Sequence, residues 1–229
     1  LEGLLTAIEV VPDMQPGARL LVVGDGPARA EVEAAADRAN SRTGRRAVVL
    51  TGELVDPRPA YAAADVAIGM GGSALRAMAF GKPLIVQGER GFWELLRPGT
   101  LDQFLWTGWY GVGRDPTAGA ALLADLLGPL LMHPQQRETL GQFSLSTATE
   151  RFSLQRAAQI QLDSYIRAVG GRASASPFHP ASDLRAGVNF VGYKTRRGVQ
   201  RALGRGATDD FNARPVASRT SSSPAMGSS

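Results

Sequence analysis

The chain has 229 residues, enough for one large or two small domains with a full core. With no cysteine and only two histidines, His133 and His179, far apart in sequence, it excludes a disulfide framework and a thiolate metal site. No apolar run approaches the roughly 20 residues that span a bilayer and no signal peptide opens the chain, so a cytoplasmic location is expected.

The formal net charge of +4 is unevenly placed. Residues 1–169 hold 16 Lys and Arg against 18 Asp and Glu, whereas residues 170–229 hold 9 against 3. The basic character therefore belongs to the C-terminal stretch, and nucleic acid is not an expected partner. The cations are almost all Arg, with only Lys82 and Lys194, and Ala is abundant; that composition reads as a GC-rich, bacterial genome.

Leu1, Leu4, Leu5, Ile8 and Val11 fall on one face of a helix, so the chain opens inside a helix. Arg19-Leu20-Leu21-Val22-Val23 reads as a buried strand, and Pro27 suits the first turn of a helix running to about Asn40. Ala47 to Thr51 is a second strand and Pro57 to Ala64 a short helix. Asp65 to Ile68, a glycine-loop helix and Leu84 to Gln87 complete a β-α-β-α-β series. Near-continuous apolar strands in such a series predict an α/β fold, a parallel sheet with helices on both faces. Residues 88–116 carry Phe92, Trp93, Phe104, Trp106, Trp109 and Tyr110, read as core packing, with an exposed partner or membrane patch as the alternative. Three amphipathic helices follow, at about 118–131, 134–148 and 153–169; Pro134 starts the second and Ser153 caps the third. After Gly170 the apolar periodicity is lost, and 170–229 reads as a disordered basic tail. A short basic amphipathic helix fits Phe190 to Leu203.

The stretch richest in meaning is Gly69-Met70-Gly71-Gly72-Ser73-Ala74-Leu75-Arg76-Ala77-Met78-Ala79-Phe80-Gly81-Lys82-Pro83. A strand runs into glycines at 69, 71 and 72, and Ser73 stands where a helix N-cap is expected. A glycine loop opening into a helix aims backbone N–H groups and the positive end of the dipole at one point, a place for a phosphate or diphosphate. A tight strand-to-helix turn without a ligand explains the same residues. Gly24-Asp25-Gly26-Pro27 also follows a strand and opens a helix. The dinucleotide fingerprint, however, needs Gly or Ala where Arg29 stands and an acidic residue ending the next strand, where Thr51-Gly52 stand with Glu53 just beyond.

In order, Leu21-Val22-Val23-Gly24-Asp25-Gly26-Pro27, Val48-Val49-Leu50-Thr51-Gly52, Tyr61-Ala62-Ala63-Ala64-Asp65-Val66, Arg76-Ala77-Met78-Ala79-Phe80-Gly81-Lys82-Pro83-Leu84-Ile85 and Glu94 make a set. Together with the closing helix Phe152 to Tyr165, this set resembles the C-terminal, nucleotide-sugar-binding lobe of GT-B glycosyltransferases. The likeness is to the retaining family four, also called group 1, and covers about residues 1–169.

The resemblance implies a Rossmann-like donor lobe over 1–169 that is N-terminally incomplete, with the tail at 170–229. It implies transfer of a sugar from a nucleotide-sugar to a glycan or lipid acceptor, with retention and without a metal or other cofactor. A missing N-terminal lobe would supply the acceptor site, so the chain is expected to be a fragment that is inactive alone. Donor-binding residues implied are Gly52, Glu53 and Leu54 against the base, Gly71, Gly72, Ser73 and Ala74 at the diphosphate, and Arg76 and Glu94. Arg76 is a departure: the family has a Glu there that accepts from ribose hydroxyls, and a guanidinium accepts nothing. The family's other Glu, about two turns earlier, has no counterpart near Ile68-Gly69-Met70. This leaves two further readings, a non-catalytic GT-B-like binding or assembly module and the related 2-epimerase architecture, for which no carboxylate–His arrangement is seen. The tail's charge suggests peripheral contact with anionic membrane.

Overall fold

The computed structural model describes residues 1–170, 188–192 and 194–195. The chain divides into two units, Leu1–Ile166 and Arg167–Ser229.

In the first unit, α1 (Glu2–Met14) buries Ala7, Ile8, Val11 and Pro12 and leads to β1 (Leu20–Val22). The helix α2 (Arg29–Thr43) ends at Gly44, whose left-handed conformation lets its N–H reach the carbonyls of Asn40 and Ser41. It delivers the chain to β2 (Val48–Leu50), parallel to β1 with Leu20 opposite Val48. The short α3 (Arg58–Ala63) precedes β3 (Ala67–Gly69). Then α4 (Gly71–Ala79) returns to β4 (Leu84–Gln87), parallel to β3. A turn at 88–92 reverses the chain into β5 (Trp93–Leu95), which pairs antiparallel to β4 with Val86 opposite Glu94. The remainder is helical: α5 (Leu101–Thr107), α6 (Gly119–Met132), α7 (Pro134–Phe152) and α8 (Leu154–Gly170). Pro134 is the first residue of α7, and the Ser153 hydroxyl accepts from the Arg156 N–H at the start of α8.

Successive residues of β4 explain the layering. Leu84 and Val86 pack on one face with Ala74, Ala77 and Met78 of α4, Phe104 of α5 and Ala148 of α7. Ile85 packs on the other with Ala7 and Val11 of α1, Trp93, Leu95, and Leu123 and Leu127 of α6. All three β4 residues are inaccessible to solvent, each stabilising the fold by about 1.5–3 kcal/mol. The α/β class with helices on both faces is what the alternation of the sequence predicts.

Two details depart from the expected series. The strands form two hydrogen-bonded groups, β1-β2 and β3-β4-β5. In addition β1 is only half covered: Leu21 and Val23 are 42% and 40% exposed, although the run 19–23 reads as buried.

Of the aromatics at 88–116, Trp93, Phe104 and Trp109 are core, with Phe104 and Trp109 stacked at 5.5 Å between ring centroids. Trp106 is the exception, almost fully exposed on α5. In the second unit, residues 188–192 and 194–195 are helical, with the Lys194 ammonium 5.6 Å from the Phe190 ring centroid. They fall within and just ahead of the segment expected to form a basic helix. The rest of that segment, and most of the stretch expected to be a disordered tail, lie outside the described residues.

Candidate functional site

Four loops leave the carboxyl ends of β1 to β4, where open parallel sheets present their crevice. They are 23–28, 51–57, the junction at Met70, and 88–92. The first two are joined directly: the Gly24 N–H donates to the Gly52 carbonyl at 2.8 Å, and the Thr51 hydroxyl donates to the same carbonyl at 2.9 Å. A side chain on Gly52 would meet the Arg29 guanidinium at 3.7 Å. Arg29 holds Asp25 and Glu33, each at 2.7 Å, and these two hydrogen-bonded carboxylates raise its already high pKa. Glu53 is exposed and Leu54 half-buried, both on the β2 loop as the sequence implies.

The junction at α4 is built differently from its sequence reading. The helix starts three residues earlier, with Met70 as N-cap, and the Gly71 N–H donates to the Trp109 carbonyl at 3.0 Å. Ser73 becomes the third helical residue. Its hydroxyl accepts from the Met70 N–H at 3.1 Å and donates to the Met70 carbonyl at 2.8 Å. Glycine is favoured at Gly71, whose φ of +52° strains an L-residue, and at Gly69, where a β-carbon would lie 2.8 Å from the Ser73 hydroxyl. Gly72 is under neither constraint: a β-carbon there meets nothing within 4 Å.

The N–H of Gly72 has no acceptor among the described residues, while those of Gly71 and Ser73 bond to Trp109 and Met70. Ala74 is fully buried in the helix beneath. Arg76 lies one turn on from Gly72, and both are exposed; this spacing puts them on one side of α4, about 6 Å apart along the axis. Arg76 forms no ion pair among the described residues. The result is a helix N-terminus, an N–H facing solvent and an exposed guanidinium on one face, an arrangement that attracts an anion.

Glu94 makes no ion pair with these groups among the described residues. It lies on β5 rather than in a loop, and its carboxylate pairs with Arg97 at 3.5 Å, three residues away. The turn before it is fixed by four hydrogen bonds absent from any local pattern. The Glu2 carboxylate, in the first turn of α1, accepts from the N–H groups of Gly91 at 2.8 Å and Arg90 at 3.1 Å. The Glu89 N–H donates to the Gly111 carbonyl, and the Glu89 carbonyl accepts from Gly113. Arg90 has φ +52°, a left-handed backbone that the two Glu2 bonds help to hold. Glu2, Met70 and Trp109 are therefore residues that local reading misses. An acidic first turn marks Glu2 only as a favourable dipole partner, and nothing in sequence shows that it reaches residues 90 and 91.

Among the described residues no group of three His, Cys, Asp or Glu could hold a metal ion, and no helix is long and apolar enough to cross a membrane.

The fold is a Rossmann-like α/β lobe with glycine-bearing loops at the carboxyl ends of its parallel strands. The family model for glycosyl transferases group 1 matches residues 1–128, through both strand groups and into α6, and the chain belongs to that family. No curated protein matches the chain.

Proposed function

We propose that this chain is the donor-binding lobe of a retaining, metal-independent GT-B glycosyltransferase, in which the crevice at the carboxyl ends of β1 to β4 holds a nucleotide-sugar. The observation that carries the reading is the shared exposed face of Gly72 and Arg76 at the N-terminus of α4, in a chain of this family. The diphosphate lies at that terminus, with the Gly72 N–H and the Arg76 guanidinium on its oxygens. The base lies against Gly52, Glu53 and Leu54. As the bond to the sugar breaks, negative charge grows on the leaving diphosphate. The dipole end, worth about half a positive charge, and Arg76 stabilise it there without a metal ion. A second lobe carries the acceptor, a glycan or a lipid. The basic residues after 170 hold the protein on the cytoplasmic side against anionic lipid, at about 1 kcal/mol for each cation near the surface.

Two observations favour a second reading, a GT-B-like module that binds or assembles without turnover. A cation stands at 76 where the resembled motif accepts ribose hydroxyls, and Glu94 is paired with Arg97. A thermal-shift screen of nucleoside diphosphates and their sugars, followed by transfer assays with an acceptor-binding lobe supplied, separates the two. Binding at ten times Kd stabilises by about 1.4 kcal/mol, a Tm rise of about 3–6 °C for a chain of this size. A rise with one donor and transfer to an acceptor excludes the second reading. A rise without transfer to any acceptor excludes the first.

A further inference from the structure

Trp106 is 91% exposed, the largest apolar side chain left in water among the described residues. Tryptophan is highly buried on average, and the other two in the chain, Trp93 and Trp109, are core. The short helix α5 shows why this one points outward. Phe104 of α5 is fully buried, and Leu101 and Leu105 pack against the same core. At 3.6 residues per turn the opposite side holds Asp102, Trp106, Gln103 and Thr107 within about 140° of arc, with Trp106 between Asp102 and Gln103. All four are exposed. The side chains of Asp102, Gln103 and Thr107 make no hydrogen bond or ion pair among the described residues. The face therefore sets one bare aromatic ring among a carboxylate, an amide and a hydroxyl, and α5 carries no cation.

The end of α5 is tied to the start of α4. Gly108, left-handed at φ +72°, closes α5 with its N–H on the Phe104 carbonyl. Trp109 follows, stacks on Phe104 and gives its carbonyl to the Gly71 N–H. Consecutive Cα atoms are 3.8 Å apart, so the Cα of Trp106 lies within about 11 Å of that of Trp109. A short saccharide spans that distance. The exposed indole thus stands beside the helix terminus assigned above to the diphosphate.

We infer that the exposed face of α5 is a saccharide subsite, in which a pyranose ring stacks on Trp106 and its hydroxyls bond to Asp102, Gln103 and Thr107. The chemistry of the face selects this ligand. One face of a pyranose is a patch of C–H groups made slightly positive by the ring oxygens, and the face of an indole is negative. Around its edge the sugar carries hydroxyls that both donate and accept. A carboxylate accepts, whereas an amide and a hydroxyl do both, so the three side chains serve hydroxyls of either orientation. A lipid surface fits less well, since interfacial helices set Lys and Arg around their aromatic residues and Asp102 would face anionic headgroups of its own sign. A protein partner would enclose the Asp102 carboxylate beside the indole, and interface cores are depleted in charge. The role of the bound sugar rests on the donor-lobe reading; its binding does not, because none of these four side chains is assigned to the diphosphate. The ring comes from the donor sugar or from a glycan acceptor, two sources with the same chemistry.

The test follows the three indole N–H signals by NMR, with those of the buried Trp93 and Trp109 as references. Methyl glycosides of glucose, mannose, galactose and N-acetylglucosamine are added at tens of millimolar, and UDP-glucose and GDP-mannose are compared with UDP and GDP. The Trp106 signal is expected to move with at least one sugar while the references stay fixed. Movement with a free glycoside supports the subsite and assigns it to a glycan. Movement with a nucleotide-sugar, and with neither the glycosides nor the nucleotide alone, supports it and assigns it to the donor sugar. Trp106→Ala is expected to weaken binding of that sugar by an order of magnitude or more, Trp106→Phe to restore most of it, and Tm to stay within the range of a surface change in both. No movement with any sugar overturns the inference, and so does unaltered affinity in Trp106→Ala. Movement as large with a nucleotide as with its sugar conjugate overturns it in favour of base stacking. Movement only with vesicles of anionic phospholipid, or only with protein concentration, overturns it in favour of lipid or of a second copy. The amides of residues 71–76 report nucleotide binding in the same samples, so failure of the donor reading shows there and failure of the subsite shows at Trp106.

Discussion

Replacing Gly72 by valine probes the α4 anion site with little disturbance to the fold around it. A β-carbon at 72 meets no atom within 4 Å, the backbone there is ordinary for an L-residue, and the position is exposed in the first turn of the helix. Glycine is a poor helix former, so Gly72→Val is expected to change stability by between zero and about 0.5 kcal/mol in the favourable direction, a Tm rise of at most about 2 °C. The same side chain stands where the diphosphate approaches. Loss of one charge-assisted bond to the Gly72 N–H removes about 1.5–3 kcal/mol, which weakens Kd by about 10- to 150-fold. The assay is an NMR titration with a nucleoside diphosphate, following the amides from Gly71 to Arg76, with Tm measured on the same samples. An unchanged Kd in Gly72→Val refutes the diphosphate placement. So does a wild-type protein whose 71–76 amides stay fixed at millimolar nucleotide.

Other substitutions test the parts separately. Gly71→Ala forces a β-carbon into a left-handed backbone and is expected to lower Tm by about 2–4 °C for each kcal/mol of strain, in contrast to Gly72→Val; equal Tm values in the two variants would contradict the geometry. Arg76→Glu is expected to leave Tm within the range of a surface change, about 0.5 kcal/mol, while weakening nucleoside diphosphate binding in calorimetry; unaltered binding makes Arg76 a surface charge only. Trp109→Ala empties a stacked core position and loosens the strand of chain that accepts from Gly71, at an expected cost of about 3–5 kcal/mol in chemical denaturation. The Thr117 hydroxyl and N–H both bond to Asp115 and hold its carboxyl below the usual range. The stabilisation this gives is present above the unfolded-state pKa and is lost as pH falls through the folded one. Thr117→Val removes the larger of the two bonds, and NMR titration is expected to show Asp115 protonating at higher pH.

The sequence made legible what depends on neighbours along the chain. The apolar run Leu84-Ile85-Val86 reads as a buried strand and is one, and Pro134 reads as a helix start and is the first residue of α7. It left hidden what depends on distant partners. The start of α4 moved from Ser73 to Met70, and a carbonyl 38 residues away, at Trp109, takes the Gly71 N–H. Residues 93–95 are too few to declare a strand, and only pairing with β4 makes them one, which places Glu94 on β5. Trp106 shows the limit of composition: its aromatic neighbours are core, while it alone points outward.

The most direct test of the donor-lobe reading is a crystal structure of this protein with a nucleoside diphosphate. The reading places the diphosphate at the first turn of α4, within hydrogen-bond distance of the Gly72 N–H and the Arg76 guanidinium, and the base against Gly52 to Leu54. A nucleotide bound elsewhere on the lobe, or bound at α4 with Arg76 turned away from it, would contradict the account.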